Sequence, residues 1–188
     1  MINTTFNARL SRAVLVAIAT SAITTAAVAG NPVLAANTKD VAAEAGAQEF
    51  AQKAAVIGKA EIELAQLAVK QSTDADVRSY AERMITDHTA AAAKLKTVAA
   101  KDNLTLPQSL DPEHAAVKQK LSGLKGNDFD RAYSAEMAKG HDKAVALFDA
   151  ASQNSTLPAD LKQFAASTLP TLKEHQAMAH KLHGKEAT

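Results

Sequence analysis

The 188-residue chain has no cysteine and no tryptophan, and aromatic residues make up only 4% of it. The absence of cysteine excludes disulfide bonds, thiol chemistry and lipid attachment at a cysteine. With so few aromatic side chains the core must be built from smaller aliphatic residues, and abundant alanine and leucine favour closely packed helices. The sequence also lacks a serine–histidine–aspartate arrangement, a phosphate-binding loop and a pair of carboxylates typical of a catalytic cleft. The composition therefore predicts an all-α protein without a familiar catalytic motif.

Residues 1–35 have the pattern of a secretory signal peptide. Arg9 and Arg12 precede a weakly apolar run of small residues that ends at Ala29. Cleavage is expected after Ala29 or Ala35. An uncleaved anchor is the alternative, but the run is shorter than the ~20 residues that a membrane span needs. We therefore predict a Sec-type signal peptide whose removal leaves a periplasmic or secreted chain without a transmembrane anchor.

The exported chain is nearly neutral. Since the 21 basic residues of the full sequence include Arg9 and Arg12, 19 remain against 20 acidic residues. Scattered charges in near balance argue against nucleic acid or an anionic membrane as the main partner. The remaining length is that of one domain, which we place at residues 38–184.

Hydrophobic periodicity and capping residues predict four long helices and a short one. Helix A runs from about Thr38 to Ser72, and Asp74 is a good N-cap for helix B. Pro170 is expected to break or kink helix D. The remaining predicted bounds are about Asn103 for the end of helix B, 113–124 for the short helix, Asn127 or Asp128 to Ser152 for helix C, and Pro158 to Leu182 for helix D.

The second pair of helices repeats the first. Segment 75–95 of helix B matches 159–182 of helix D, which has three extra residues. Helix A matches helix C more weakly, in an alignment that sets Glu61 opposite His141. Two antiparallel pairs joined by a long crossover, with the short helix in that crossover, predict a ferritin-like four-helix bundle.

Each long helix carries one residue of metal-ligand type within its apolar stripe. On helix A this residue is Glu61, whereas Glu63 lies on the solvent face. The equivalent residues of helices B, C and D are His88, His141 and His175. Counting along the helices puts Glu61 and His88 within about one turn of each other in height, and His141 and His175 within about 9 Å. Because buried Glu and His are costly unless paired, hydrogen-bonded or metal-bound, four of them predict a site.

Three imidazoles and one carboxylate suit a single transition-metal ion, either Cu, Fe, Zn or Mn. A ferritin-type two-iron centre is disfavoured, because it needs Glu-x-x-His on two helices. The residues three positions before the histidines are instead Ile85, Ala138 and Leu172. The alternative to a metal is a buried hydrogen-bond network in which Glu61 pairs with a charged histidine.

Other residues could support the ligands or add one. Three methionines lie one turn from the stripe histidines and would favour copper, although methionine also fills gaps in alanine-rich cores. Acidic residues directly precede two of the histidines. These candidates are Asp87, Met84, Met137, Met178 and Glu174. His114, His180 and His183 are expected to interact with helix ends and solvent, and Tyr80 and Tyr133 to pack in the core.

Several segments carry a family resemblance. They are Glu61-Ile-Glu-Leu-Ala, Met84-Ile-Thr-Asp87-His88, Phe129-Asp-Arg-Ala-Tyr133, His141 and Leu169-Pro170-Thr-Leu-Lys-Glu-His175. Through them the chain resembles, from about Gln48 to Leu182, a bacterial family of exported proteins known as a domain of unknown function and often labelled outer membrane proteins. The resemblance implies a ferritin-like four-helix fold and a shared role for Glu61, His88 and His141, together with His175. It keeps Asp87 as an outer ligand or a partner of the ligands, and it implies no reaction.

The sequence thus predicts an exported helical bundle with one buried metal ion, related to metal handling or oxidative stress. The alternative is a metal-free structural or stress-related interaction protein with a buried Glu/His network. Catalysis stays open, because the sequence shows neither an open coordination position nor a substrate pocket. The alanine-rich faces could pack within a monomer or across a homodimer.

Overall fold

A computed structural model describes residues 32–186 of the chain, with side chains from 38 to 185, and this part is all-helical. The helices are α1 (Pro32–Gln71), α2 (Ala75–Lys101), α3 (Pro112–Ser122), α4 (Gly126–Gln153) and α5 (Ala159–Glu186). The predicted signal peptide lies outside the described residues except for positions 32–35, which begin α1. None of the described helices is long and apolar enough to cross a membrane.

The helix starts follow the predicted capping chemistry. Asp74 accepts hydrogen bonds from the backbone N–H groups of Asp76 and Val77 at the start of α2. Asp111 does the same for His114 in α3, which has a proline in its first turn. Each such cap stabilises a helix by about 1 kcal/mol, because it satisfies N–H groups that have no partner within the helix.

Contacts at both ends of the bundle show that neighbouring helices are antiparallel. Lys101, at the end of α2, pairs with Asp160, at the start of α5, at 2.9 Å. At the other end Lys185 lies 2.8 Å from Asp74. The α1 and α4 helices are antiparallel as well, because the ring of Phe50 meets that of Phe148 at a centroid distance of 5.3 Å. The helices therefore follow one another around the bundle in the order α1, α2, α5, α4.

The segment between α2 and α4 runs along α1 from Gln48 to the end of that helix. Three residues of α1, in order along the helix, each bond to a later residue of this crossover. The pairs are Gln48 with Thr105, Glu63 with Lys118, and Gln71 with Lys125. The predicted four-helix bundle, with a short helix in one long crossover, is confirmed, and ferritin-like bundles share this connectivity.

Two apolar clusters fill the bundle, one at each end. One contains Met84, Phe129 and Tyr133, and the other contains Phe148 and Leu161. On every long helix a polar residue separates the two clusters. These residues are Glu61, His88, His141 and His175.

Of the break or kink expected at Pro170, the break is wrong, because α5 continues through this residue. Proline removes one backbone hydrogen bond and its ring crowds the preceding turn, at a cost of about 3 kcal/mol. Burial on both sides of the proline offsets that cost, since Phe164, Ala165, Leu172 and His175 are all buried. The tertiary contacts of α5 therefore outweigh the local signal.

Candidate metal centre

Four polar side chains, one from each long helix, meet at the middle of the bundle. Glu61 and His88 are 4% and 6% exposed, and His141 and His175 are fully buried. The three imidazole rings lie at centroid distances of 5.2 to 5.8 Å from one another. The stripe positions predicted from helical spacing are thus brought together, and the height mismatch between His141 and His175 is closed.

The outer nitrogen of His141 is held by its own helix. Its Nδ1 lies 2.9 Å from the backbone carbonyl oxygen of Met137, one turn earlier. Because a carbonyl can only accept, Nδ1 carries the proton and Nε2 keeps its lone pair. That Nε2 is buried and has no hydrogen-bond partner among the described residues. It is available to a metal ion.

The orientation of His175 is set by a carboxylate of a neighbouring helix. Its Nε2 donates to Oδ2 of Asp87 at 2.8 Å, which leaves the Nδ1 lone pair facing the centre. Asp87 is in turn bonded by Arg83, whose guanidinium also pairs with Glu174. Asp87 therefore orients His175, in the way that carboxylates commonly orient metal-binding histidines.

His88 lies between Glu61 and His175. Its Nδ1 is 3.1 Å from Oε2 of Glu61, and its Nε2 is 3.3 Å from Nδ1 of His175. The Glu61 oxygens accept no hydrogen bond of good geometry within the part of the chain that the structure describes. Each of the three imidazoles thus has a polar neighbour at one nitrogen and presents the other nitrogen toward the shared centre.

The three histidines lie close enough together that they could hold one metal ion. One ligand atom from each of His88, His141 and His175 lies within 4.8 Å of the others, and this is the group of three or more potential ligands found among residues 38–185. Metal–nitrogen distances of about 2.0–2.1 Å in a tetrahedral site separate two nitrogens by roughly 3.3 Å. The distance of 3.3 Å between His88 and His175 matches that value. Glu61 is not in this group and lies instead on the Nδ1 side of His88.

Burial controls the charges of the site. It raises the pKa of Glu61 to about 8. Burial, reinforced by the neighbouring histidines, lowers the pKa of His88 to about 3, and burial lowers that of His141 to about 4. The pKa of His175 is also lowered by burial, although Asp87 opposes the shift. Without a metal the three rings are neutral at pH 7, and neutral imidazole is the form that binds metals.

These pKa shifts predict a stability maximum near pH 6.5 for the metal-free protein. Below pH 6.5 the unfolded chain binds more protons at the histidines, so the free energy of unfolding falls as the pH falls. Between pH 6.5 and 8 the folded chain binds the additional proton at Glu61, so stability falls as the pH rises. At about 1.4 kcal/mol per proton and pH unit, we expect a loss of about 2 kcal/mol at pH 5 and a smaller loss of about 1 kcal/mol at pH 8, where residual protonation of the unfolded histidines partly offsets the effect of Glu61.

Urea unfolding with a chelator present, between pH 5 and pH 8, measures this profile. Glu61→Gln should flatten the alkaline side and leave the acidic decline in place. The control is Glu63→Gln on the same helix, whose carboxylate pairs with Lys118 and has a lowered pKa. A wild-type profile without an alkaline decline would show that Glu61 is already ionised at neutral pH.

The other predicted candidates lie farther from the three nitrogens. Met84 and Met137 are buried in the first apolar cluster, and Met178 packs against it. Glu174 is exposed and pairs with Arg83. Of the remaining histidines, His114 bonds to its capping aspartate and His180 pairs with Asp142. These contacts are mainly structural.

Tyr80 and Tyr133 pack in the core as predicted, and Tyr80 also lies beside the histidines. The ring of Tyr80 lies 6.5 Å from that of His141 and 6.4 Å from that of His175, and it meets the ring of Tyr133 at 6.3 Å. Both hydroxyl groups are buried and unpartnered within the described side chains. In the sequence each tyrosine stands two turns before a histidine of the site, His88 or His141. This spacing indicates that the tyrosines are near the site, and it fits simple core packing equally well.

Comparison with known proteins places the chain among uncharacterised bacterial domains. A family model described as a domain of unknown function (DUF4142) matches residues 32–182. A DUF305 fragment from Deinococcus radiodurans is 18% identical, covers 73% of this chain and 95% of its own, and has a TM-score of 0.65. A DUF305 protein from Streptomyces coelicolor, described as a candidate secreted protein, is also 18% identical, with coverage of 78% and 93% and a TM-score of 0.63. At these identities the similarity concerns the fold. No curated protein matches the chain.

Proposed function

The chain belongs to the DUF4142 family, a domain of unknown function, and we propose that it is an exported protein that binds one transition-metal ion at the buried three-histidine centre. The observation that carries this proposal is the convergence of three ring nitrogens within 4.8 Å. The buried and unpartnered Nε2 of His141 supports it most directly. A buried polar atom without a partner costs about 1–3 kcal/mol, and coordination of a metal removes that cost.

The ligands are His88, His141 and His175, and each is oriented through its other nitrogen. Met137 supplies a carbonyl to His141, Asp87 a carboxylate to His175, and Glu61 a carboxylate to His88. Such outer partners fix the ring orientation and raise the basicity of the ligating nitrogen. In this arrangement Glu61 lies beside the outer nitrogen of His88 and supports that ring, and its role as a fourth ligand stays a prediction.

Three neutral imidazoles suit copper, zinc or iron better than magnesium or calcium. Manganese favours sites with more oxygen ligands, so the donor set places it behind the other three. Three protein ligands also leave a coordination position open, as in metal sites that act on a small molecule. Metal binding, transfer and redox protection at the cell surface are all compatible with this donor set.

Export is supported by the signal-peptide pattern of residues 1–35 and by the description of the Streptomyces protein as a candidate secreted protein. We therefore place the exported chain in the periplasm or outside the cell. Outside the cytoplasm, a buried centre would protect both the ion and its surroundings from uncontrolled exchange.

A metal-free scaffold is the second candidate function. It is favoured by the contacts that run from Glu61 through His88 and His175 to the surface residue Asp87. In that case the four side chains would form a polar network that stabilises the middle of the bundle.

Metal content of the exported protein tests the proposal. The full chain is expressed for export in a bacterium and purified without chelators, and its metals are measured by mass spectrometry. We expect near one equivalent of one transition metal in the wild type and less than about one tenth in Glu61→Ala/His88→Ala, because one ligand and its carboxylate partner are removed. A wild type that carries no metal and takes up none on titration would overturn the proposal.

A further inference from the structure

The candidate ligands are shielded from solvent by the bundle itself. His141 and His175 are fully buried, and His88 is 6% exposed. Glu61 lies beside two of these rings, with its carboxylate oxygens 3.1 Å from Nδ1 of His88 and 3.6 Å from Nδ1 of His141. An ion that binds to the folded protein must therefore pass between helices to reach the site.

A narrow cleft leads from the surface to Glu61. It lies between α1, α3 and α4 and has a volume of about 110 Å³, well above the roughly 10–15 Å³ that one water molecule needs. Glu61 lines this cleft, and neither of its carboxylate oxygens has a hydrogen-bond partner among the described residues. His88, His141 and His175 do not line the cleft, so Glu61 lies between it and the histidines.

The outer part of the cleft carries groups that attract a cation. Side-chain exposure falls from 66% at Glu113 to 22% at Glu136 and 5% at Glu61, so three carboxylates follow one another inward. His114, next to Glu113 in α3, lines the cleft as well. Two lysines stand at the rim, and one of them, Lys143, pairs with Glu113. Carboxylate and imidazole groups are common ligands of transition metals.

Two glycines inside the long helices leave space beside the same carboxylate. At Gly140 of α4, which lines the cleft, a Cβ atom would lie 3.8 Å from Oε1 of Glu61. At Gly58 of α1 a Cβ atom would lie 4.0 Å from Nδ1 of His88. Both distances are ordinary van der Waals contacts, so alanine would fit at either position. Because glycine inside a helix is less favourable than alanine by about 0.8–1 kcal/mol, the two glycines lower stability by roughly 2 kcal/mol without a packing requirement.

We propose that this cleft is the entry route of the metal ion, and that Glu61 binds the incoming ion before it passes to the histidines. The step is an exchange of ligands: a Glu61 oxygen replaces a water molecule on the ion, and imidazole nitrogens then replace others. The inference rests on the proposed function and adds to it a path and a loading residue. It also gives α3, which forms one wall of the cleft, a role in metal uptake.

Copper loading rates of the full-length exported protein test the route. Metal-free wild type and Gly140→Leu are mixed with one equivalent of copper(II) in a stopped-flow spectrometer, and the absorption phase that is missing in His141→Ala reports the site. Release is followed by transfer of the copper to an excess of chelator. We expect uptake and release in Gly140→Leu both to be slower by about tenfold, because the ion then depends on local opening of the helices. The dissociation constant should stay unchanged, since a barrier on the route slows both directions equally.

Matched variants separate a blocked route from a damaged site. Gly46→Leu makes the same change in α1 where a Cβ atom would meet nothing within 4 Å, and it should load at the wild-type rate. Gly140→Ala narrows the cleft by one methyl group and should slow uptake less than Gly140→Leu does. Glu61→Gln keeps the shape of the side chain and removes its charge, so it should slow uptake, whereas Glu63→Gln on the solvent face should not.

The outcomes distinguish the route from the site. Copper binding at equal rates in wild type and both Gly140 variants overturns the route and leaves the metal site intact. A weaker dissociation constant in Gly140→Leu with an unchanged uptake rate also overturns the route. Uptake by Glu61→Gln at the wild-type rate overturns the loading step at Glu61. A wild type that binds no copper overturns the proposed function, and the route fails with it.

Discussion

Saturation with its metal is expected to raise the melting temperature of the protein by about 10 °C. A ligand that binds only the folded state at 1,000 times its dissociation constant contributes about 4 kcal/mol. For a domain of about 150 residues, each kcal/mol raises the melting temperature by roughly 2–4 °C. The effect is large because the three ligands come from three different helices and assemble only in the folded bundle.

Differential scanning calorimetry with and without one equivalent of metal measures this shift. In His141→Ala the shift should vanish, because the variant lacks the nitrogen that has no other partner among the described residues. The matched control is His180→Ala, which removes a surface imidazole that pairs with Asp142 and should keep the full shift. Equal shifts in the two variants would place the bound metal elsewhere on the protein.

Replacement of the polar centre by aliphatic side chains is expected to stabilise the metal-free protein. In Glu61→Leu/His88→Leu we expect the free energy of unfolding to rise by about 2 kcal/mol at pH 6.5, with chelator present. The variant removes two buried oxygens without good hydrogen bonds and an imidazole that must stay neutral. Exchange of buried ionisable pairs for apolar residues of similar volume is commonly neutral or stabilising by 1–4 kcal/mol.

This experiment decides between a metal site and a structural network. If the four residues serve the stability of the fold, their replacement should lower the free energy of unfolding by 2 kcal/mol or more. If they serve metal binding, their replacement should raise it. The control is Leu64→Ala, one turn from Glu61 in α1, which truncates an ordinary buried core side chain. It should lower the free energy of unfolding by about 2–5 kcal/mol. A large loss in the double variant would favour the scaffold.

The burial of the four polar residues at the centre could be predicted from the sequence. On α1, helical spacing separated Glu61 from Glu63, and the structure buries Glu61 while Glu63 pairs with Lys118 and Lys59 at the surface. The internal repeat aligned Glu61 with His141 as equivalent positions, and both are buried. Both predictions succeeded because a 3.6-residue period determines which side chains face the core.

Predictions that depended on contacts between helices were less accurate. Counting residues left His141 and His175 up to about 9 Å apart in height, whereas their rings lie 5.5 Å apart. The local signal of Pro170 suggested an interrupted helix, and packing keeps α5 continuous. The height of a residue along the bundle and the continuity of a helix at a proline both depend on packing against all neighbouring helices. The sequence of one helix does not contain this information.

The sequence by itself determined the number of helices, their buried faces and the four polar residues within those faces, since these follow from periodicity and capping along one chain. Only the tertiary structure decided which nitrogen of each ring faces the centre. That choice comes from Asp87 on a neighbouring helix, the Met137 carbonyl and the carboxylate of Glu61. It also brought the rings of Tyr80 and Tyr133 together. The physical reason is that a helical pattern fixes the direction of a side chain, whereas the proton position on an imidazole depends on the groups that folding brings next to it.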